Sequence, residues 1–424
     1  MMNITRRSFG KILGGTLSST ILGCASEIVP KTNRRVVIVG AGFGGMTAGN
    51  YIHQLDPSIE VIFIERNKQY VANPFSNEVL VGRRQIGDLT LTYPGSQGNK
   101  KFLHTEVTDI NPNRQQVFTP QGRVSYDALI LATGIDFSGT NIEGYDEKTT
   151  PLLFPHGWQG GEQTLLLQRQ IQAMGDGGVI IVSIPKAPYR CPAGPYERVC
   201  LLAEYLKAQK PRSKLLVLDG NRDIVALPKQ FKAVWQSRYP HQIEYLPDST
   251  VVGIHGHTRS LITNDGSTYE GEVINLIPPQ GAGPLARLAG LVEKNERWCA
   301  VNGQFESIHQ PQIYVLGDAA KVGDMPKTAY GANVQGKLCA LNVVAKLNNL
   351  APMDFPLLNV CYGSIGTNEA ISIAQVFRNE ETSPFKLIPG AGSSSPLDMS
   401  LTHREYINGE GWLANMLAEF AETT

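Results

Sequence analysis

Residues 34–45, Arg34-Arg35-Val36-Val37-Ile38-Val39-Gly40-Ala41-Gly42-Phe43-Gly44-Gly45, decide how the chain begins to fold. The apolar run at 36–39 is continuous rather than alternating, the pattern of a parallel strand buried on both faces. It runs directly into glycines at 40, 42 and 45. Residues 46–55 then read as a small-residue helix stopped by Asp56-Pro57. A second strand at 60–64 ends at Glu65-Arg66, which puts an acid twenty residues past Gly45. GxGxxG alone is a weak signal, but strand, glycines, helix and acid in this order specify a dinucleotide-binding unit. Gly40 permits the tight turn, Gly42 lets the backbone approach a pyrophosphate, and Gly45 packs helix on strand. The helix N-terminus favours the phosphate charge, and Glu65 accepts from a ribose hydroxyl.

Two later segments extend the unit. Tyr126-Asp127-Ala128-Leu129-Ile130-Leu131-Ala132-Thr133-Gly134 is a strand ending in Ala-Thr-Gly, and Ile313-Tyr314-Val315-Leu316-Gly317-Asp318-Ala319 is a strand ending in Gly-Asp-Ala. Both resemble the two-dinucleotide flavoprotein family that includes glutathione reductase. That resemblance implies FAD, with Ala132, Thr133, Gly134, Gly317 and Asp318 against it and Asp318 bonded to the ribityl chain. The expected fold is α/β, with two Rossmann-like domains and a small C-terminal α+β domain capping the flavin. The FAD domain is then discontinuous, 34–145 and 280–345. A central domain lies between at 146–279, and the flavin-binding C-terminal domain covers 350–424.

The central domain departs from its relatives where a second nicotinamide-binding loop belongs. Its strand at 178–184 continues as Pro185-Lys186-Ala187-Pro188-Tyr189-Arg190-Cys191-Pro192-Ala193-Gly194-Pro195. No glycine turn follows, and prolines remove amide donors that would face phosphate. The chain is therefore expected not to bind NAD(P)H. Pro195 suits a helix start, and Val199, Leu202, Ala203 and Leu206 make an apolar stripe on the helix that follows. Cys191 thus stands just before a helix N-terminus, where the dipole favours a thiolate. Glu197 is either a first-turn acid favoured by that dipole or a proton carrier near Cys191.

Composition narrows the function. Lysine plus arginine equals aspartate plus glutamate, 38 each in 424 residues, which gives no positive excess for nucleic acid. Apolar runs after residue 30 reach only about eight residues, far short of the roughly twenty that span a bilayer. The six cysteines, at 24, 191, 200, 299, 339 and 361, form no CxxC and no metal spacing. Cys200, Cys299 and Cys339 read as small buried hydrophobes. The histidines at 104, 156, 255, 257, 309 and 403 show no ligand spacing and read as surface or loop residues. Thr5-Arg6-Arg7-Ser8-Phe9-Gly10-Lys11, before an uncharged run at 12–23, reads as a twin-arginine export signal covering residues 1–30. Such a signal implies a periplasmic protein. Ile21-Leu22-Gly23-Cys24 approximates a lipoprotein box, so either Cys24 is lipidated, anchoring the protein to a membrane, or cleavage falls near Ala25. Removing Arg6, Arg7 and Lys11 leaves 35 of the 38 basic residues and a slightly acidic chain.

Several motifs remain: Arg190-Cys191-Pro192-Ala193-Gly194-Pro195-Tyr196-Glu197-Arg198, Ser76-Asn77-Glu78-Val79, Asn275-Leu276-Ile277-Pro278-Pro279-Gln280, Met325-Pro326-Lys327, and Cys361-Tyr362 after Asn359. Across residues 34–424 these resemble the flavoprotein subunit of flavocytochrome c sulfide dehydrogenase, a family related to sulfide:quinone oxidoreductases. The resemblance implies that Cys191 and Cys361 form a redox-active disulfide over the flavin, with Glu197 nearby. It adds Arg66, Asn77, Val107, Lys327 and Trp412 to the cofactor-binding residues. The Lys327 segment would precede a helix whose positive end faces the flavin.

Many members attach FAD through a cysteine just before the Ser-Asn-Glu-Val motif. Asn73 stands there in this sequence, so FAD is expected to be non-covalent. The pair could instead be a structural disulfide closing a long loop. The implied reaction is oxidation of sulfide to zero-valent sulfur, a polysulfide, with electrons leaving to a c-type cytochrome subunit. The rival acceptor is a quinone, because Trp412-Leu413, Met416-Leu417 and Phe420 share a helical face that either packs on the protein's own core or dips into a membrane surface. A non-catalytic flavoprotein helper and an NADH-dependent reductase are the remaining alternatives.

Overall fold

In the computed structural model, residues 26–137, 140–380 and 383–421 are described, and the export-signal reading and Cys24 lie outside them. The apolar run after Arg34 forms β1 (Arg35–Val39), buried at every position. It leads through the glycines into α1 (Phe43–Leu55), which ends at Asp56 as the Asp-Pro pair requires. β2 (Glu60–Ile64), β3 (Lys100–Leu103) and β4 (Ala128–Leu131) complete this half, with the short helix α2 (Ser76–Leu80) between β2 and β3. The central part supplies β5 (Val179–Ile184), α3 (Gly194–Gln209), β6 (Lys214–Asp219), β7 (Ile243–Leu246) and β8 (Val273–Leu276). These strands form a second parallel sheet in the order β7-β6-β5-β8.

The chain then returns to the first half. β9 (Ile313–Val315) pairs with β4, so the first sheet reads β9-β4-β1-β2-β3, parallel throughout. α4 (Ala329–Leu347) follows and packs against α1. The C-terminal part is an antiparallel sheet of β10 (Leu357–Gly366), β11 (Glu369–Glu380) and β12 (Ser383–Ser394), closed by α5 (Thr402–Ala421).

Two apolar cores explain the arrangement. One joins β1, β2 and β4 to α4 and to Leu413, Met416 and Phe420 of α5. The other joins β5, β6 and α3 to Ile365 of β10 and Ile371 of β11. The C-terminal sheet therefore bridges both halves. The α5 stripe is thereby resolved: these three side chains fill the protein's own core, each contributing about 1.5–3 kcal/mol relative to exposure. Among the described residues no helix is long and apolar enough to cross a membrane, and no cluster of His, Cys, Asp and Glu could hold a metal ion.

Candidate active site

The glycine turn performs the steric work the sequence demands of it. Gly40 has φ +91°, and a Cβ there would lie 2.5 Å from the Ala132 carbonyl oxygen. At Gly45 a Cβ would meet the Gly40 carbonyl oxygen at 2.0 Å, so only glycine lets α1 cross this close to β1. Beyond the turn opens a cleft of about 1080 Å³ that runs along all three parts of the molecule. Gly40, Gly42, Glu65, Arg66, Asn77, Val107, Ala132, Thr133, Gly134, Gly317, Asp318 and Trp412 line it, as do Cys191, Glu197 and Cys361. Gly45 lies beneath the turn as a packing residue. Glu65 Oε2 accepts from the Ala41 N–H at 3.0 Å, which holds the acid beside the turn.

The lining fits an FAD. Asp318 Oδ1, Trp412 Nε1 and Trp158 Nε1 are buried in the cleft wall without hydrogen-bond partners, so the walls present polar atoms that a bound molecule would satisfy. Gly134, at φ +69°, has open space where a Cβ would stand. Burial raises the Asp318 carboxyl above its usual range, against the pull of Arg190, whose Nη1 stands 3.9 Å away, and of Lys327. Trp412 packs near Tyr330 and Tyr362, with ring centroids 6.4 and 6.3 Å away.

Lys327 is a correction. Its ammonium turns away from the cleft, donating to the Asp318 and Ala320 carbonyls at 2.8 and 2.6 Å and lying 3.8 Å from the Trp298 ring centroid. Burial lowers its pKa to about 7. The residues that follow it, Thr328, Ala329 and Tyr330, line the cleft instead, and α4 begins there with Thr328 as its cap, accepting from the Gly331 N–H.

The loop at 185–193 is built differently from the glycine turn. Three of its six amides are committed to protein acceptors: Ala187 to Asn221 Oδ1, Arg190 to Gln280 Oε1, and Cys191 to the Lys327 carbonyl at 2.7 Å. Cys191 adopts φ +55°, a left-handed backbone that a non-glycine residue holds only where its surroundings impose it. Cys361, on β10, shares the cleft wall with it. Asn359 Nδ2 donates to Cys361 Sγ at 3.6 Å, while Thr328 Oγ1 donates to Asn359 Oδ1. Both cysteines are free thiols in this structure. Burial raises the Cys191 thiol far above the usual range and the Cys361 thiol to about 11. This corrects the thiolate expected from the helix terminus. Burial shifts a pKa by up to about 3–5 units, whereas a helix dipole contributes only about 0.3–1 kcal/mol, less than one such unit.

Glu197, in the first turn of α3, lines the cleft with both cysteines, and its charge acts on each thiol. Burial, then the Glu78 carboxylate, raises its pKa to about 8, opposed by hydrogen bonds from Asn77 and the Ser364 amide and by Arg198. A group that changes charge near neutral pH beside two thiols is placed to carry protons, which favours that role over a helix-capping acid.

Arg198 is the residue sequence reasoning missed. It is 1% exposed and donates to Asn77 Oδ1 and Asn275 Oδ1 and to the carbonyls of His156 and Gly157. One guanidinium thus gathers three separate motifs. His156 is a further correction, being buried rather than a surface or loop residue. Its Nδ1 accepts from the Trp158 N–H, and burial lowers its pKa to about 3, so it stays neutral. Cys200, Cys299 and Cys339 are fully buried.

Family models match three stretches. Residues 34–161 match the pyridine nucleotide-disulphide oxidoreductases, 164–278 the central part of the sulfide dehydrogenase [flavocytochrome c] flavoprotein chain, and 354–420 the flavocytochrome c sulphide dehydrogenase flavin-binding domain. A sulfide dehydrogenase [flavocytochrome c] flavoprotein chain from Chlorobaculum thiosulfatiphilum is 50% identical over 46 residues, 11% of this chain and 96% of that one. A sulfide-quinone reductase from Aquifex aeolicus is 26% identical over 187 residues, 43% of this chain and 41% of that protein. The solved sulfide:quinone oxidoreductase from Aquifex aeolicus has the same fold, with a TM-score of 0.71 at 18% identity, covering 92% of this chain and 93% of that one.

Proposed function

Because this chain belongs to the family of flavocytochrome c sulfide dehydrogenase flavoprotein chains, an oxidoreductase family, we propose that it oxidises sulfide to zero-valent sulfur through a Cys191–Cys361 disulfide. One observation carries the reading. Two cysteines 170 positions apart and Glu197 meet in the wall of a cleft built on a dinucleotide-binding turn.

FAD bound in the cleft would supply a two-electron acceptor able to return electrons one at a time. Asp318, Trp412, Gly134 and the glycine turn would hold it, non-covalently, since Asn73 is in the cleft wall where many relatives carry the attaching cysteine. The protein's own groups then do the sulfur chemistry. Hydrosulfide attacks one sulfur of the disulfide, forming a persulfide and releasing the other cysteine as thiolate. Burial makes that thiolate a poor leaving group, so protonated Glu197 supplies its proton. A second hydrosulfide takes the outer sulfur as HSS⁻, leaving two thiols. Re-forming the disulfide sends two electrons to the acceptor, returns one proton to Glu197 and leaves one proton over. Electrons leave to a c-type cytochrome, and the Arg6-Arg7 signal would carry the folded protein to the periplasm.

Anaerobic titration of the purified flavoprotein with sulfide tests the reading: the flavin band bleaches. Cys191→Ser and Cys361→Ser should each abolish bleaching while keeping the flavin, and bleaching that persists in both rejects the scheme. Faster reoxidation by decylubiquinone than by cytochrome c would reassign the acceptor. Yellow colour left in a trichloroacetic acid pellet would show covalent flavin.

A further inference from the structure

The two cysteines do not meet the same neighbours. Cys361 and Asn359 lie two residues apart on β10, where alternate side chains share a face, so the amide stands beside the sulfur. Asn359 is fully buried, and its Nδ2 donates to Cys361 Sγ at 3.6 Å. The amide is itself held from its other end. Thr328, the cap of α4, accepts at Oγ1 from the Gly331 N–H at 2.8 Å, and its hydroxyl donates to Asn359 Oδ1 at 2.5 Å. All three bonds point one way: helix N–H to hydroxyl, hydroxyl to amide oxygen, amide N–H to sulfur. Such a chain, starting at the positive end of a helix, polarises along its length and favours negative charge where it stops. At Cys191 charge is favoured instead by Arg190 and by the Gly194 N–H, a donor shared with the Cys191 carbonyl at 2.9 Å. Glu197 opposes charge on both sulfurs, and the balance leaves the Cys361 thiol, at about 11, below that of Cys191.

Resting on the sulfide reading above, we infer that Asn359, aligned by Thr328, is a positioning residue that makes Cys361 the departing sulfur and directs hydrosulfide to Cys191. A nucleophile attacks one sulfur of a disulfide, and the sulfur better able to carry charge leaves. Hydrosulfide therefore bonds to Cys191 Sγ while the Cys191–Cys361 bond breaks, and the electron pair of that bond leaves on Cys361. The product is a Cys191 persulfide, which keeps the hydrosulfide proton, opposite a Cys361 thiolate. The hydrosulfide sulfur is oxidised and the disulfide reduced, so atoms, charge and electrons balance. Asn359 keeps its own protons and holds the thiolate until Glu197 protonates it.

The test uses the full-length holoprotein. One equivalent of sulfide is added without oxygen, iodoacetamide follows, and peptide mass mapping locates the added sulfur. The Cys191 peptide should carry it in roughly ten-fold excess over the Cys361 peptide, the worth of one hydrogen bond to a charged group. Asn359→Leu should bring the two peptides towards parity. Thr328→Val should behave alike and serves if Asn359→Leu does not fold, whereas Thr328→Ser, which keeps the hydroxyl, should preserve the excess. A merely structural role would lower the yield of persulfide without moving its distribution. That outcome overturns the inference, as does added sulfur chiefly on Cys361 in the unsubstituted protein. A second measurement needs no sulfide. With both cysteines reduced by dithiothreitol, Cys361 should alkylate several-fold faster than Cys191, and Asn359→Leu should remove the difference; equal rates in the unsubstituted protein overturn the inference. Added sulfur on neither cysteine would instead remove the sulfide reading and leave the alkylation rates to decide.

Discussion

The strand-to-helix loops at 40–45 and 185–193 occupy equivalent places in two parallel sheets yet are opposites chemically. The first is glycine at four of its six positions: Gly40 and Gly45 give up every atom beyond Cα so that backbone can turn and a phosphate can approach. The second is crowded, three of its amides bonded to Asn221, Gln280 and Lys327, and it presents Arg190 and the Cys191 sulfur to the cleft. One scaffold position can therefore hold a cofactor or replace one. What decides is whether the loop offers donors and space or spends them internally.

Substitutions on each side sharpen that contrast. Gly45→Ala should be the most damaging, because a Cβ would stand 2.0 Å from a backbone oxygen that cannot move alone. A loss on the order of 4 kcal/mol, in the extreme tail for one residue, should appear as a lower melting temperature and a colourless protein. A stable yellow Gly45→Ala would break the steric half of the argument. Arg198→Met should cost about 3 kcal/mol, since it strands buried carbonyl and amide acceptors, measured by urea unfolding. Loss of less than half that would show that the motifs hold together without it.

At the first residue of α3, just past the crowded loop, Gly194→Ala places a Cβ 2.9 Å from Cys191 Sγ and 3.0 Å from the Trp158 ring. The melting temperature should change little, because a flexible side-chain atom yields at a cost of about 1 kcal/mol, while sulfide bleaching slows. Equal damage at 45 and 194 would erase the distinction between the loops. The smallest effect is one of pH. Below about 8 Glu197 is protonated, so bleaching corrected for the hydrosulfide fraction should fall as pH rises through about 8. Because the folded-state pKa is raised from 4.5, stability should also decline between those two values. Both trends should be absent in Glu197→Gln.

Much of the site was legible in short sequence motifs. The glycine turn is a local device that needs only its own few residues to define its geometry, so spacing reveals it, while Gly317-Asp318 and the Ala-Thr-Gly strand end were legible through their resemblance to the two-dinucleotide flavoproteins. Lys327 and Cys191 show where local reasoning fails. The lysine sits beside cleft residues, but its ammonium finds two carbonyls on the opposite side. The cysteine precedes a helix, but burial overrides the dipole. Arg198 carried no signal of its own, since an arginine in a helix is ordinarily a solvated charge.

By itself the sequence determined the order of strands and helices, the glycines that no other residue can replace, and the loss of a second phosphate loop, because these depend on backbone sterics and donor count along a few consecutive residues. Tertiary structure alone decided that the α5 stripe fills the core, that one buried arginine gathers three motifs, and that Glu78, Asn77 and Ser364 surround Glu197. Desolvation and hydrogen-bond geometry depend on what surrounds a group from every side, and that is fixed only when distant segments close around it.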